Sequence, residues 1–405
     1  MGRPRSRSTG ESMRVATGGR AVLPVRSMEP GHRGRPATRI SSPLLTRRDF
    51  VKTVGAAGTA VLAGQAVSGA ETKGVTLALL GAAHMHTTMF LDILKTREDV
   101  QVKWVWDQDA ARAEKIAALA GAKVAKTPAD VLGDAGVAGV VILSETSLHA
   151  ELAVPAAQAK KPLFIEKPLG ANRQDAAAIA AAVEQAQVPF TSGYHLRTIP
   201  KHLFIKENVQ QGHLGRLVRV HASFCNDCVL QGAFDQELKW TVEPKWGGVG
   251  SFADIGTHAL DLLMWLLGDV EAVSADLRTV TNRYPNCDEL GQGLLRFKNG
   301  VTGTISAGWV EPENPVSLLV TGTEGHAVVF NDRLYLRTPK VTGADGARPW
   351  GKLPPGPDHP LLQFVSAVAG QPGLPLVTVR EAAGRVQVME ALYQSARDRK
   401  WVTIG

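Results

Sequence analysis

Apolar residues follow a regular pattern between residues 75 and 193. Short continuous apolar runs alternate with longer stretches of helical character, several of them rich in alanine. Runs without polar alternation are typical of parallel strands that are buried on both faces. Five runs are predicted as strands: Val75–Leu80, Val102–Trp106, Val137–Leu143, Leu163–Ile165 and Val188–Gly193. The alternation predicts an α/β fold, with a doubly wound parallel sheet and right-handed crossovers.

The pattern changes after Arg197. A helix is predicted over Lys201–Gln211, and the apolar runs beyond it alternate with polar residues, as in half-buried antiparallel strands. The predicted strands are Leu217–Phe224, Val270–Leu277, Gly291–Phe297, Val301–Ala307 and Ser317–Thr321. We therefore expect a domain over residues 71–195, followed by an α+β domain over residues 196–405 with a large, mostly antiparallel, open sheet.

The charge of the chain is concentrated at its beginning. The net charge is +7, but residues 1–70 alone carry twelve Lys/Arg and three Asp/Glu, a net charge of +9, so the remainder carries −2. The body therefore gives no indication of a nucleic-acid partner. Residues 1–45 are rich in Arg, Gly, Ser and Pro without a hydrophobic period, which predicts a disordered basic leader.

Residues 46–70 resemble a twin-arginine export signal. Arg47 and Arg48 are followed by Phe50, a weakly apolar run and small residues ending at Ala70. An ordinary helix with a basic start is the alternative interpretation. The run is too short and too rich in glycine for a stable membrane span. We expect recognition by the twin-arginine machinery, export to the periplasm and a mature chain that begins near Glu71.

A dinucleotide-binding turn is predicted after the first strand. That strand leads through Gly81 into a helical stretch, but the second and third glycines of a G-x-G-x-x-G fingerprint are absent, and His86 stands where the last is usual. Asp107 follows the second strand at a position where an acid accepts from a ribose 2′-hydroxyl, which favours NAD over NADP. Asp107 as a helix cap is the alternative.

No metal site is predicted. His84 and His86 are two residues apart at the start of a helix and have no acidic or cysteine partner nearby in the sequence. Cys225 and Cys228 form a C-x-x-C without the second ligand pair that zinc usually needs, and Cys287 is left over. We interpret the cysteines as structural or incidental, with a local disulfide as the next possibility in an exported protein.

The most informative stretch is Leu163–Gly170, in which an apolar strand ends in Glu166, Lys167 and Pro168. Ligands bind at the carboxyl ends of strands in open α/β sheets. A lysine at such an end is either paired or functional. Further along, Asp254 and His258 are four residues apart in a stretch predicted as one helix that stops at Gly268. A helix cap and an interior histidine are the alternatives for that pair.

Together these motifs resemble the Gfo/Idh/MocA oxidoreductases. The resemblance covers roughly residues 74–404 and rests on the turn at Gly81, on Asp107, on the segment ending in His149, on Glu166-Lys167-Pro168 and on Gly193–Arg197. It is extended by the segment Trp246–Asp261 and by the tail Glu390–Ala396. Two departures are the reduced glycine loop and Glu145, where the family usually has proline.

The resemblance implies a Rossmann domain that binds NAD, with NADP less favoured, a sugar-like substrate and a homodimer or tetramer. Cofactor contacts are predicted for Gly81, Ala83, His84, Met85, Asp107, Ser144, His149, Glu166 and Lys167. Catalytic roles are predicted for Lys167, Asp254 and His258, and substrate contacts for Tyr194, Arg197 and Trp246. Trp240 and Trp246 offer flat surfaces on which sugars can stack, with core packing as the alternative.

The predicted reaction is oxidation of a secondary alcohol of a sugar or cyclitol. His258 takes the hydroxyl proton, Lys167 stabilises the developing negative charge, and Asp254 orients the acid–base group. Free nicotinamide is expected to be scarce outside the cytoplasm, so an exported enzyme would carry a tightly bound cofactor and recycle it. The alternatives are a nicotinamide-dependent glycoside hydrolase or lyase that acts through transient oxidation, and a non-catalytic binding protein.

Overall fold

The computed structural model describes residues 74–247 and 250–405. The predicted leader and the twin-arginine segment lie outside these residues. Within the part that the structure describes, no helix is both long enough and apolar enough to cross a membrane.

The first sheet has six strands, all paired in parallel, and confirms the predicted doubly wound arrangement. Its strands are β1 Val75–Leu80, β2 Val100–Trp106, β3 Lys123–Val124, β4 Gly139–Ile142, β5 Leu163–Ile165 and β6 Phe190–Ser192. The order is β3-β2-β1-β4-β5-β6. The direction of winding reverses between β1 and β4, so the crevice at their carboxyl ends is where a ligand is expected.

The helices of this region lie between the strands, as the predicted alternation requires. They are α1 Thr87–Leu94, α2 Ala110–Ala120, α3 Pro128–Leu132, α4 His149–Gln158 and α5 Arg173–Ala186. The cap of α2 is Asp109, whose side chain accepts from the backbone N–H groups of Ala111 and Arg112. The alternative interpretation of Asp107 as that cap is therefore wrong, because Asp107 lies two residues too early.

The second sheet has eight strands in the order β13-β12-β11-β7-β10-β9-β8-β14. Its strands are β7 Leu217–Cys225, β8 Val270–Arg278, β9 Leu290–Phe297, β10 Thr302–Gly308, β11 Val316–Gly322, β12 His326–Phe330, β13 Arg333–Arg337 and β14 Val402–Thr403. All neighbours are antiparallel except β7 and β10. The remaining helices are α6 Pro200–Gln210, α7 Ser251–Asp254, α8 Gly256–Leu267, α9 Pro360–Val368 and α10 Val379–Asp398. Helices α8 and α10 pack against this sheet, which confirms the predicted α+β architecture.

Helices α9 and α10 both pack against the first sheet, and α10 also packs against the second. On α9, Phe364 is fully buried and its ring lies 6.1 Å from that of Phe164 on β5, so α9 belongs to the core of the first sheet. On α10, the first half contributes Val386 to that side, whereas Leu392 is buried in the core of the second sheet. Burial of apolar side chains from one helix in both cores stabilises their mutual arrangement.

Candidate active site

Lys167 lies at the carboxyl end of β5, where its side chain is 3% exposed. Its Nζ donates to Oδ1 of Asp254 at 2.9 Å and to the backbone oxygen of Asp254 at 3.0 Å. The lysine is thus both buried and paired with a carboxylate. An ammonium has three N–H donors, and these two contacts leave one for another acceptor.

His258 lies in the first turn of α8 and is buried against aromatic rings. The ring centroids of His195 and Phe224 lie 4.9 and 5.0 Å from its own. Burial, reinforced by the positive charge of Lys167, lowers the pKa of His258 well below its usual value. Its Nδ1 is buried without a hydrogen-bond partner among the described residues. The structure therefore provides a neutral imidazole close to a buried ammonium.

The predicted contact between Asp254 and His258 does not form. The chain does not continue as one helix: α7 ends at Asp254 and α8 begins at Gly256, although α8 ends before Gly268 as predicted. The Asp254 carboxylate turns to Lys167, and in the described chain no hydrogen bond joins it to His258. The prediction that Asp254 orients His258 is replaced by a pairing of Asp254 with Lys167.

The turn after β1 has the conformation that a dinucleotide requires. Gly81 has a φ of +83°, and a Cβ at this position would overlap the backbone and side chain of Ser144. Only glycine fits both constraints. Helix α1 begins a few residues later, so the backbone N–H groups of its first turn lie near the turn, as in phosphate-binding sites of this fold.

Asp107 lies at the carboxyl end of β2 and is held on several sides. Its Oδ2 accepts from the backbone N–H of Ala82 at 2.6 Å, and its Oδ1 accepts from Arg112 at 2.7 Å. Arg112 also donates to Glu145 at 2.7 Å and so bridges two carboxylates. Glu145 occupies the position where the resembled family usually has proline. Because Arg112 offsets negative charge beside Asp107, repulsion of a 2′-phosphate by Asp107 is weaker support for NAD over NADP.

A short turn, Lys239–Val242, contacts the loop Gly81–His86 between β1 and α1, which we call the cofactor loop. The indole N–H of Trp240 donates to the backbone oxygen of Ala83 at 3.1 Å. Trp246 contributes its backbone oxygen, which accepts from Ser147 at 3.0 Å, while Lys245 lies over its ring. A cavity beside this loop is lined by His84, Thr146, Pro168, Trp240, Thr241, Gly247 and Asp254.

Four further residues were predicted to contact the cofactor: Ala83 and Met85 in this loop, and Ser144 and His149 outside it. Ala83 is buried, whereas Met85 is about half exposed. The hydroxyl of Ser144 donates to the backbone oxygen of Glu145. His149 is fully buried, and its Nδ1 lies 3.1 Å from the backbone oxygen of Pro168, so it holds the segment that carries Lys167. His149 acts on the site through that segment.

Two residues predicted to contact the substrate, Arg197 and Tyr194, instead contact other side chains of the protein. Arg197 makes two hydrogen bonds to Asp261, at 2.9 and 2.6 Å, and one to Glu381 at 2.8 Å. Tyr194 is buried, and its hydroxyl lies 3.0 Å from that of Thr257. Arg197 is therefore part of a buried ion network that ties the segment after β6 to α8 and α10. Arg197 therefore does not line the cavity described above. The ring of Tyr194 packs edge-on against the ring of His258.

Glu166 brings the two histidines of the cofactor loop into one cluster. It is fully buried, and its Oε1 lies 2.9 Å from Nδ1 of His86. His84 lies beside them, with its ring centroid 4.7 Å from that of His86. The sequence offered no acidic partner near these histidines because Glu166 is 80 residues away from His86 along the chain.

Sequence reasoning missed three further contributors to the site. His195 packs edge-on against His258, and burial lowers the pKa of His195 to about 4. His359, at the start of α9, packs against Phe90 of α1. Arg112 bridges the carboxylates of Asp107 and Glu145. His195 stands inside the Gly193–Arg197 motif and could have been found from it, whereas the contacts of the other two depend on tertiary packing.

All three cysteines are free thiols, so the alternative of a local disulfide is not realised. Burial raises the pKa of Cys225 to about 12 and that of Cys228 to about 11. These thiols are therefore protonated near neutral pH and are not nucleophiles there.

Comparison with known proteins agrees with this geometry. Residues 75–194 match the model described as the oxidoreductase family, NAD-binding Rossmann fold, and residues 202–328 match the GFO/IDH/MocA C-terminal domain. The chain belongs to the Gfo/Idh/MocA oxidoreductase family. It is 26% identical over 256 residues to the levoglucosan dehydrogenase of Pseudarthrobacter phenanthrenivorans, covering 57% of this chain and 65% of that protein. It is 28% identical over 257 residues to the scyllo-inositol 2-dehydrogenase (NAD(+)) of Bacillus subtilis, covering 62% and 72% respectively.

Solved structures of family members share the fold. The WlbA dehydrogenase of Bordetella pertussis, in complex with NADH and UDP-GlcNAcA, superposes with a TM-score of 0.72 at 22% identity, covering 82% of this chain and 98% of that one. A levoglucosan dehydrogenase in complex with NADH superposes with a TM-score of 0.67 at 22% identity, covering 82% and 99%.

The residues of this chain fit a nicotinamide dinucleotide at two places. The Gly81 turn provides the tight bend at the start of α1, and Asp107 stands at the end of β2 where a ribose hydroxyl is usually held. Trp240 lies directly on Ala83, at the loop where the pyrophosphate of a dinucleotide is held. We expect NADH binding to displace the Lys239–Val242 turn from this loop.

Proposed function

We propose that this protein oxidises a secondary alcohol of a sugar or cyclitol. NAD, when bound, supplies the hydride acceptor. The observation that carries the proposal is the buried Lys167 at the carboxyl end of β5, beside the buried, neutral His258. This pair lies at the crevice where the fold places ligands, in a family of oxidoreductases.

Lys167 has the properties needed to stabilise an alkoxide. Two of its N–H groups are fixed by Asp254, which orients the third toward a substrate oxygen. Pre-oriented donors in a water-poor site stabilise developing negative charge much more strongly than water does. Asp254 is thus a positioning residue for Lys167.

His258 is the base in this proposal. A neutral imidazole can accept the hydroxyl proton, and its lowered pKa keeps it neutral at the pH of most cells and of the periplasm. The nearby ammonium of Lys167 disfavours the protonated imidazole, so the proton must pass onward after each turnover. Solvent is the final acceptor of that proton.

The proposal is tested with the purified full-length chain, NAD or NADP, and a panel of sugars and cyclitols that includes levoglucosan and scyllo-inositol. We expect reduced nicotinamide to form with at least one member, faster with NAD. A folded protein that binds NADH but oxidises no member, and that instead releases aglycone from chromogenic glycosides without net redox change, would favour the transient-oxidation alternative. A folded protein that binds neither NADH nor NADPH would refute both.

Export by the twin-arginine route is part of the proposal and is supported by the sequence alone. The support is Arg47-Arg48 with Phe50 and the small residues that end at Ala70. We expect Arg47→Lys with Arg48→Lys to retain the protein in the cytoplasm, as judged by cell fractionation. Equal periplasmic amounts of both forms would argue against this route.

We also propose a homodimer or tetramer. Val218 on β7 and Leu294 on β9 expose apolar side chains on the second sheet, as a partner surface would. Light scattering on the purified protein is expected to give a mass of two or four chains, and a monomeric mass at micromolar concentration would refute it.

A further inference from the structure

The cluster of His84, His86 and Glu166 has the composition of a metal site. Each residue offers one ligand atom, and these three atoms lie within 4.8 Å of one another. Two come from the loop before α1 and one from the end of β5, so the sheet and the helix fix them from different sides. Ligand atoms at about 2 Å from a tetrahedral ion lie roughly 3.3 Å apart, so binding would draw these three atoms closer together.

The cluster is enclosed and oriented. Glu166 is fully buried against Gly193, where a Cβ would collide with the carboxylate. Its Oε2 accepts from the backbone N–H of Lys167 at 2.6 Å, which leaves Oε1 directed at His86. His84 lines the cavity that also contains Asp254 and Pro168, so the cluster has one open side.

The burial of these side chains also suits a bound cation. Glu166 is fully buried and His84 is 6% exposed. A cation at this place would offset the cost of enclosing a carboxylate away from water.

The donor set selects the class of ion. Two imidazole nitrogens and one carboxylate oxygen suit zinc and similar divalent transition metals, whereas calcium and magnesium prefer oxygen ligands throughout. We propose that His84, His86 and Glu166 bind a divalent transition-metal ion, with zinc as the prototype. A fourth position opens toward the cavity lined by Asp254. This assignment does not depend on the proposed alcohol oxidation.

The site is tested by direct binding. The full-length protein is treated with a chelator and titrated with Co²⁺, whose visible absorption reports coordination by nitrogen and oxygen, and then with Zn²⁺ in competition. We expect one equivalent to bind, with displacement of Co²⁺ by Zn²⁺ and no displacement by Mg²⁺. His86→Gly, which introduces the glycine usual in the dinucleotide fingerprint, should weaken binding at least about 100-fold, since ligand loss exceeds the 10–100-fold effect of losing a supporting partner.

Two further variants complete the test. His326→Gln, on β12 of the second sheet, is the matched control and should bind Co²⁺ as the parent does. Glu166→Gln retains the shape of the buried carboxylate, and circular dichroism checks that it and His86→Gly are folded. No saturable Co²⁺ binding below millimolar concentration would overturn the proposal. Unchanged affinity in a folded His86→Gly protein would overturn it as well, because the ion would then bind elsewhere.

Discussion

Replacement of Lys167 by methionine tests the proposed chemistry most sharply. Methionine retains much of the apolar stem and removes the ammonium with its hydrogen bonds to Asp254. Loss of one donor to a developing oxyanion typically lowers kcat by about 10²–10³, or roughly 3–4 kcal/mol of barrier. The Asp254 side chain is 20% exposed, so water can replace its lost partner, and we expect a stability loss on the order of 1 kcal/mol.

Lys161→Met is the matched control. Lys161 is also buried, and its Nζ donates to two backbone oxygens, those of Asp134 at 2.7 Å and Val137 at 2.9 Å. It precedes the amino end of β5, whereas Lys167 lies at the carboxyl end of that strand. Its replacement carries the structural cost of losing a buried ammonium without touching the chemistry. We expect kcat to stay within about twofold of the parent, because only transition-state contacts change kcat.

The assay is steady-state formation of reduced nicotinamide with the best substrate of the panel, together with the NADH dissociation constant and thermal unfolding of each variant. The proposed role of Lys167 requires a large fall in kcat for Lys167→Met, with NADH binding and folding retained. A folded Lys167→Met protein whose kcat lies within about tenfold of the parent would refute the role of Lys167. An equal fall in Lys161→Met would attribute the loss to general destabilisation.

Three further predictions follow from the same contacts. Trp240→Phe removes the hydrogen bond to Ala83, worth about 1 kcal/mol, and should tighten NADH binding by roughly fivefold in a fluorescence titration; weaker binding would show that Trp240 supports the cofactor instead. Arg197→Met should lower the free energy of unfolding by about 3 kcal/mol and leave KM nearly unchanged, whereas a selective rise in KM would restore Arg197 to the pocket. Burial lowers the pKa of His202 to about 4 in the folded state, whereas it is about 6.5 in the unfolded chain. Between these two values the unfolded chain binds a proton that the folded protein does not bind, so the free energy of unfolding falls as the pH drops from 6.5 to 4. This group contributes about 3 kcal/mol of that loss, and urea titrations should show a shallower pH dependence for His202→Gln; an identical dependence would contradict the assignment.

The sequence predicted the first sheet well because its signals are local. Continuous apolar runs predicted β1 and β5 with the bounds that the structure has. The two-residue strand β3 carries no such signal, and β12 and β13 were missed although they form a hairpin. Helix α9 was not foreseen, because the burial of Phe364 against Phe164 joins residues 200 positions apart.

The sequence indicated which types of residue a site would need, but not which side chains contact one another. Lys167 and Asp254 are paired in the structure, whereas the predicted contact of Asp254 with His258 does not form. That outcome depends on where α7 ends, which periodicity does not reveal. Arg197 carries a charge in a conspicuous motif, yet its partner Asp261 lies 64 residues away. Long-range ion pairs decide which charged residues are free for ligands, and one sequence contains no direct record of them.

The central claim is that hydride leaves a carbon of the substrate and reaches the nicotinamide in the cleft that contains Lys167 and His258. The most direct measurement is a single turnover of the full-length protein with NAD and the best substrate of the panel, deuterated at the carbon that is oxidised. Mass spectrometry of the released nucleotide should then find one deuterium in the reduced nicotinamide. Reduced nicotinamide without deuterium, or a deuterated substrate that loses its label to water while NAD stays oxidised, would contradict the account.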